Sequence, residues 1–172
     1  MSQQDSITYV NFAYGSNMCS RRLRERTPSA RALGVGRLPG HKLAWHMAGA
    51  DGSAKCDIVE TGRAEDAVWG VLYEIAATEK HLLDQAEGLG RSYHCKDVEV
   101  VSGDGSVKAE TYCALTVDPE RVPYDWYHAY VLEGALEHGL PSEYADALKA
   151  LEVLVDPDDE RRHRHLALTR RA

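Results

Sequence analysis

A short stretch near the N-terminus combines residue types that could bind an anion. Tyr14-Gly15-Ser16-Asn17 ends a run in which β-branched and aromatic residues are frequent, which predicts a strand over residues 8–14. Small residues with good helix-capping side chains then begin a helix. Such a junction leaves backbone N–H groups without partners, and these donors and the helix dipole together favour a carboxylate or a developing oxyanion. The same residues would suit an ordinary connection between two elements, so the motif by itself leaves both interpretations open.

Glu87 is the second residue that could do chemistry. It occupies the last turn of a predicted helix and immediately precedes Gly88, a typical left-handed helix end. A negative charge at this end faces the negative pole of the helix dipole, which favours the protonated form of the carboxyl group. A carboxyl group in such a field suits the uptake and return of a proton. An exposed glutamate at a frayed helix end is the alternative interpretation.

The histidines and cysteines predict no further reactive site. The four cysteines lie far apart along the chain and no pair has metal-ligand spacing, so we expect reduced thiols, a cytoplasmic location and no bound metal. His94 and Cys95 are neighbours in a predicted strand, where adjacent side chains point to opposite faces and cannot act together. We therefore expect neither a Cys–His nucleophile nor a histidine triad.

Strands and helices must position the candidate residues. Strands are predicted at residues 8–14, in two pieces over 32–47, and at 57–59, 67–75, 91–101 and 106–117; helices are predicted at 18–26, 79–87, 123–138 and 142–151. A Gly-Asp turn between the last two strands is a strong hairpin signal, and glycines in the second strand region predict a sharp bend. The pattern predicts an α+β fold with a small, strongly bent, barrel-like sheet and flanking helices.

The size and charge of the chain limit its function. A chain of 172 residues suits a single domain, which we expect over residues 1–172 with its core at about 7–155. The net charge of −7 argues against a nucleic-acid surface. We expect residues 156–172 to be a basic, solvated and partly frayed tail, and residues 48–55 to be a flexible surface loop. No segment is typical of a signal peptide or a membrane span.

The helix predicted at residues 123–138 carries aromatic residues on more than one face. Such a pattern is typical of a homodimer surface, and it is equally typical of packing against a core or a pocket. The sequence leaves these two interpretations open.

Three motifs in their order resemble the γ-glutamylcyclotransferases. Tyr-Gly-Ser-Asn at residues 14–17 is followed by Val-Trp-Gly-Val-Leu-Tyr at 68–73 and by Leu-Asp-Gln-Ala-Glu-Gly at 83–88, with Tyr93 close behind. The similarity continues through the helices predicted near the C-terminus, so it spans about residues 8–155. Ser-Asn after Tyr-Gly is similar to the branch that acts on γ-glutamyl amino acids, since the γ-glutamylamine branch typically has Thr-Leu there and the glutathione-specific branch Ser-Leu.

The resemblance implies a small mixed β-barrel with flanking helices and a reaction that needs no cofactor or metal. In that reaction the free α-amino group of a γ-glutamyl unit attacks its own side-chain amide carbonyl, giving 5-oxoproline and a free amine or amino acid. Glu87 would move the proton, and the backbone of Gly15, Ser16 and Asn17 would bind the oxyanion or the α-carboxylate. We expect Tyr14 to wall the pocket, and Tyr93 and Tyr127 resemble the family's pocket tyrosines, which would orient the carboxylate or the glutamyl chain. For Tyr127, plain packing on its helix face is the alternative.

Two alternatives stay open at the level of sequence. A related cyclotransferase would remove γ-glutamyl groups from amines or specialised metabolites with the same chemistry. A non-catalytic module would use the same pocket to bind a small carboxylate or amine, although the presence of Glu87 weighs against it. In each case the expected partner is a small molecule rather than a nucleic acid or a membrane.

Overall fold

Residues 7–169 are described by the computed structural model, and they form seven strands, five α-helices and two 3₁₀ turns. The strands are β1 (Thr8–Ala13), β2 (Arg31–Pro39), β3 (His41–Ala48), β4 (Ala54–Glu60), β5 (Ala67–Ala76), β6 (Tyr93–Ser102) and β7 (Gly105–Ala114). The helices are α1 (Ser20–Arg26), α2 (Lys80–Glu87), α3 (Asp125–Glu137), α4 (Ser142–Lys149) and α5 (Asp159–Thr169), and the 3₁₀ turns are Ser16–Met18 and Ala77–Glu79. Among these residues, no helix has both the length and the apolar character needed to cross a membrane.

Five strands close into a barrel in the order β1-β5-β2-β6-β7. The paired strands are antiparallel except for β1 and β7, which run parallel, so the barrel is mixed. Two glycines that pair across β2 and β5 allow tight closure. A Cβ added at Gly36 would clash with the side chain of Val100, and one added at Gly70 would clash with the ring of Phe12. The predicted α+β barrel is confirmed.

The hairpin of β3 and β4 forms a separate two-stranded sheet beside the barrel. His46 Nε2 lies 2.7 Å from Oδ2 of Asp57, a carboxylate that is buried. The other oxygen of Asp57 accepts the backbone N–H of Ala114 in β7 at 2.8 Å. This bond joins the small sheet to the barrel, and it satisfies part of the hydrogen-bonding capacity of a buried charge.

The loop predicted at residues 48–55 is shorter and more ordered than expected. Its last two residues belong to β4, because pairing with β3 supplies backbone hydrogen bonds that the polar sequence did not predict. Lys55 Nζ donates to Oδ2 of Asp51 at 2.8 Å and to Oγ of the buried Ser53 at 2.7 Å. The predicted bounds of the loop were therefore wrong, and the segment between the two strands comprises residues 49–53.

Helix α3 carries aromatic residues that the chain itself buries. Trp126, Tyr127 and Tyr130 are 3%, 5% and 0% exposed, so intramolecular packing accounts for the aromatic faces of this helix. Gly134 lets α3 approach the start of α1, since a Cβ there would lie 2.6 Å from the backbone nitrogen of Cys19. Helix α3 thus packs directly behind the bend that follows β1.

The basic C-terminal segment is not a frayed tail where the structure describes it. Helix α5 packs against α3, and the buried carboxylate of Asp156 precedes it. Asp156 accepts the indole N–H of Trp126 at 2.7 Å and two bonds from Arg161, each of 2.6 Å. The ring of His165 stacks on that of Trp126 with centroids 4.0 Å apart. The prediction of a solvated tail was wrong because these basic residues find a buried acid and an aromatic face; residues 170–172 lie outside the described part.

Candidate active site

The bend after β1 is shaped by a glycine. Gly15 has φ −111° and ψ −138°, so this position does not require a left-handed backbone. It requires space, because a Cβ there would lie 3.1 Å from Cβ of Cys56 and 3.2 Å from the hydroxyl of Tyr127. The bend therefore fits closely against β4 and α3.

The residues after Gly15 form a 3₁₀ turn before the first α-helix begins. Helix α1 starts at Ser20 rather than at residue 18, where the sequence predicted it. Within residues 7–169, the backbone N–H groups of Gly15, Ser16 and Asn17 have no protein acceptor. The turn thus presents a set of free donors, although it is a 3₁₀ turn and not the end of an α-helix.

Glu87 lies directly across from this turn. It is the last residue of α2, and Gly88 follows with φ 66° and ψ 47°, which confirms the predicted left-handed helix end. Its Oε1 accepts a hydrogen bond of 2.5 Å from the side-chain amide of Asn17. The Glu87 side chain is 14% exposed, so the alternative of a freely solvated residue at a frayed end does not hold.

Arg26 binds both of these side chains. Its guanidinium donates to Oε1 of Glu87 at 3.0 Å and to Oδ1 of Asn17 at 2.8 Å. Three elements, the 3₁₀ turn, α1 and α2, therefore contribute to one triangle of hydrogen bonds. Both bonds to the carboxylate use Oε1, and they fix the direction in which Oε2 points.

Sequence reasoning missed Arg26, although a signal for it was present. Arg22 and Arg26 are four residues apart on α1 and share one face of that helix. Arg22 donates its Nε–H to the hydroxyl of Ser16 at 3.1 Å, so it too lies beside the bend. Two cations on one face of the helix that follows an anion-binding motif would have predicted both contacts.

The three tyrosines predicted for the pocket bind backbone groups with their hydroxyls. Tyr93 donates to the carbonyl of Cys56 at 2.8 Å, and Tyr127 accepts the N–H of Cys56 at 3.0 Å. Tyr14 donates to the carbonyl of Tyr112. These bonds fix β4 and β7 as walls of the site.

Burial determines the protonation state of the side chains that line the site. Loss of solvation raises the pKa of Tyr14, Tyr93 and Tyr127 well above the ordinary value for a phenol, and for the last two the carboxylate of Glu87 adds to the effect. The tyrosines are therefore neutral and act as hydrogen-bond donors rather than bases. Burial likewise raises the pKa of the Cys56 thiol, which makes it a poor nucleophile.

One cleft brings the predicted residues together. All of the site residues predicted from the sequence line it: Glu87, Tyr14, Gly15, Ser16, Asn17, Tyr93 and Tyr127. The strands add Thr111 and Tyr112 of β7 and Cys56 of β4, which no motif had indicated because only the folded barrel and the hairpin beside it bring them to this place. In the described part of the chain, no group of three or more His, Cys, Asp or Glu residues is arranged to hold a metal ion.

Comparison with known proteins identifies the family. Residues 67–148 match the AIG2-like family. The γ-glutamylcyclotransferase of Homo sapiens is 31% identical over 161 residues, which cover 86% of this chain and 81% of that protein. This chain belongs to the γ-glutamylcyclotransferase family.

Other members agree with this assignment. The γ-glutamylcyclotransferase of Mus musculus is 31% identical over 162 residues, covering 87% of this chain and 81% of that protein. A solved structure described as a γ-glutamyl cyclotransferase superimposes with a TM-score of 0.81 at 26% identity, covering 92% of this chain and 99% of the other. The γ-glutamylcyclotransferase family therefore accounts for the barrel as well as for most of the sequence.

Proposed function

We propose that this protein is a γ-glutamylcyclotransferase that closes a γ-glutamyl unit into 5-oxoproline and releases the attached amino acid or amine. The observation that carries the proposal is the contact between Glu87 and Asn17, which unites a proton-transferring acid and a bend of free amides in one cleft. Family membership supports the same reaction.

Catalysis in this proposal begins with positioning. The attacking amine and the carbonyl belong to one molecule, so a cleft that folds the flexible glutamyl chain supplies much of the rate enhancement. The amine is protonated at neutral pH and attacks only after losing its proton. Glu87 accepts that proton, the new C–N bond forms, and the carbonyl oxygen becomes an oxyanion. Glu87 then returns the proton to the leaving nitrogen as the oxyanion re-forms the carbonyl and the original amide bond breaks. The ring nitrogen still carries one proton too many, and it gives this second proton to the regenerated Glu87 carboxylate, which passes it to the departing amine.

The free amides of the bend have two negative groups to bind in this scheme. The glutamyl unit brings an α-carboxylate, and the tetrahedral intermediate brings an oxyanion. The backbone N–H groups of Gly15, Ser16 and Asn17 suit either, because each lacks a protein acceptor among residues 7–169. Tyr127 lines the same cleft, and burial raises its pKa, so it is a neutral phenol at the wall of the site.

A direct assay tests the proposal. The purified chain is incubated with γ-glutamyl-alanine, and 5-oxoproline is measured by chromatography. We expect Glu87→Gln to lower kcat by about 10²- to 10⁴-fold, which is the usual contribution of a general acid–base group. Circular dichroism checks that the variant is folded.

Glu152→Gln is the matched control. Glu152 is exposed and lies outside the helices, so the same chemical change there should leave turnover unaltered. Full turnover by Glu87→Gln would contradict the proposed proton transfer. Tight binding of the substrate without any 5-oxoproline would instead favour the non-catalytic module.

Two further proposals concern the extent of the functional unit. We propose that the chain acts as a single domain whose core extends past residue 155, because Asp156 and α5 pack against α3. We also propose that one chain suffices for the reaction, because all of the site residues predicted from the sequence line one cleft of this chain. Sedimentation equilibrium, with activity per chain measured on dilution, tests whether a homodimer forms and whether activity follows it.

A further inference from the structure

A second cavity opens beside the cleft, and we call it the basic vestibule. Four cations line it: Arg22, Arg26, Lys55 and Arg91. Glu87 is the acidic residue among its lining residues in the described part of the chain. This concentration of positive charge contrasts with the net charge of −7 for the whole protein.

Two of the four cations are already neutralised by the protein. Arg26 pairs with Glu87 at 3.0 Å, and Lys55 pairs with Asp51 at 2.8 Å. Arg22 and Arg91 form no ion pair with any carboxylate among residues 7–169. The basic vestibule therefore has two positive charges available for a ligand.

The guanidinium of Arg22 is largely buried, which is unusual for a charged group without a carboxylate partner. Its guanidinium lies 4.3 Å from the ring centroid of Tyr130 and 5.9 Å from that of Trp126, and its Nε–H is bound to Ser16. Burial and the neighbouring Arg26 lower its pKa, as expected for a cation that lacks a counter-charge. Holding a desolvated cation without a carboxylate costs folding free energy, and an anionic ligand would offset that cost.

The basic vestibule adjoins the place where the substrate must be cut. Ser16, Glu87, Tyr93 and Tyr127 line both the cleft and the basic vestibule. With the glutamyl unit in the cleft, the group beyond the scissile amide would extend past Glu87 into the basic vestibule, because the two cavities share these lining residues. The leaving group is therefore the part of the substrate that meets Arg22 and Arg91.

We propose that this enzyme prefers γ-glutamyl amino acids whose leaving amino acid carries two carboxylates, and that Arg22 and Arg91 determine this specificity. The inference rests on the proposed function. The α-carboxylate of the leaving amino acid meets one free cation, and an acidic side chain meets the other. A γ-glutamyl conjugate of an amine without a carboxylate leaves both cations unpaired, so we expect it to be the poorest substrate in this series.

A pair of nearly isosteric substrates tests the proposal. γ-Glutamyl-glutamate and γ-glutamyl-glutamine differ by one charge in the leaving group, and 5-oxoproline reports the turnover of both. We expect kcat/KM to be roughly tenfold higher for γ-glutamyl-glutamate, a typical effect of one charge-assisted hydrogen bond. Added salt should reduce the ratio, since the basic vestibule is open to solvent.

Three variants assign the effect to residues. Arg22→Gln and Arg91→Gln should each lower the ratio of the two kcat/KM values by at least about threefold. Lys108→Gln, which removes a charge from an exposed position on β7, should leave it unchanged. The ratio compares two substrates in one protein, so partial unfolding of a variant cancels.

Each outcome decides the matter. A wild-type ratio near one, or a high ratio that neither arginine variant lowers, would overturn the inference while the proposed function stands. Failure to release 5-oxoproline from any γ-glutamyl compound would overturn the proposed function, and this inference with it.

Discussion

At the scale of residues, the site depends on how closely side chains approach one another. Asn17 donates to Glu87 and accepts from Arg26, so one amide side chain holds both the acid and its cation. Gly15 allows this arrangement by leaving room for Cys56 and the hydroxyl of Tyr127. A methyl group at that position should therefore displace the bend without preventing the chain from folding.

We expect Gly15→Ala to lower kcat/KM by about 10- to 100-fold, because small displacements of reacting groups are costly. The unfolding free energy should fall by only about 1–3 kcal/mol, the usual cost of one extra methyl group in a packed site. Kinetics and urea unfolding measure the two effects. Gly105→Ala is the control, since a Cβ there meets nothing within 4 Å, and it should change neither quantity appreciably. Normal kinetics in Gly15→Ala would show that the bend tolerates displacement.

At the scale of elements, the end of α2 determines where Glu87 points. Gly88 has φ 66°, and Gly139 after α3 has a similar φ of 69°. A Cβ at Gly88 would also meet the Ser92 hydroxyl at 3.0 Å, whereas one at Gly139 would meet nothing within 4 Å. The two glycines thus share a left-handed backbone conformation, which would strain any other residue, and they differ in the atoms that surround them.

We expect Gly88→Ala and Gly139→Ala each to lower the unfolding free energy by about 1 kcal/mol, because both force a side chain into the left-handed region. Only Gly88→Ala should also reduce turnover, since it tilts the helix end that carries Glu87. Urea titrations and 5-oxoproline assays on both variants test this. Equal activity in the two variants would show that the helix end does not direct Glu87.

Helix α5 is held by an ion pair that reaches into the protein. The Asp156 side chain is 0% exposed, and Arg161 holds its pKa well below the usual range. We expect Arg161→Met to lower the unfolding free energy by about 2 kcal/mol, because it leaves a buried carboxylate without its cation. Thermal unfolding measures this loss.

Lys149→Met provides the comparison for Arg161→Met. Lys149 pairs with Asp146 in solvent, where both side chains are more than half exposed, so its loss should not change stability measurably. An Arg161→Met protein as stable as the wild type would mean that α5 is held by its aromatic contacts instead.

At the scale of the whole molecule, a histidine couples stability to pH. Burial and the surrounding cations, Arg22 first among them, lower the pKa of His165 to about 4. An unfolded histidine titrates near 6.5, so between about pH 6.5 and pH 4 the unfolded chain binds a proton that the folded chain does not. The contribution of neutral His165 to the unfolding free energy is therefore fully present above pH 6.5, and it is lost as the pH falls toward 4.

His165→Phe tests this coupling, because phenylalanine can stack on Trp126 but does not titrate. We expect the difference in unfolding free energy between wild type and variant to stay constant above pH 6.5. Below that pH the wild type should lose stability relative to the variant. Urea unfolding at several pH values measures both curves, and parallel curves down to pH 4.5 would contradict the assignment.

Local sequence patterns predicted a large part of this protein's fold and of its candidate site. Alternation identified most strands, a glycine marked the end of α2, and motif order implied the family and the residues that line the cleft. The tail and the loop at residues 48–55 were misread because their polar sequences resemble solvated segments. The loop is flanked by the β3–β4 hairpin, whose pairing includes residues at both of its ends. The tail is ordered by Asp156, which binds Arg161, and by Trp126 of α3, a residue distant in sequence that contacts both Asp156 and His165.

The sequence by itself determined the chemical inventory: an acid at a helix end, a small-residue bend and a barrel whose glycines allow closure. The tertiary structure decided which groups meet. Only the closed barrel and the packing of α1 bring Arg26 to Glu87 and surround the neighbouring cavity with cations. Contacts between residues far apart in sequence depend on the whole chain folding together, and local residue patterns do not specify them.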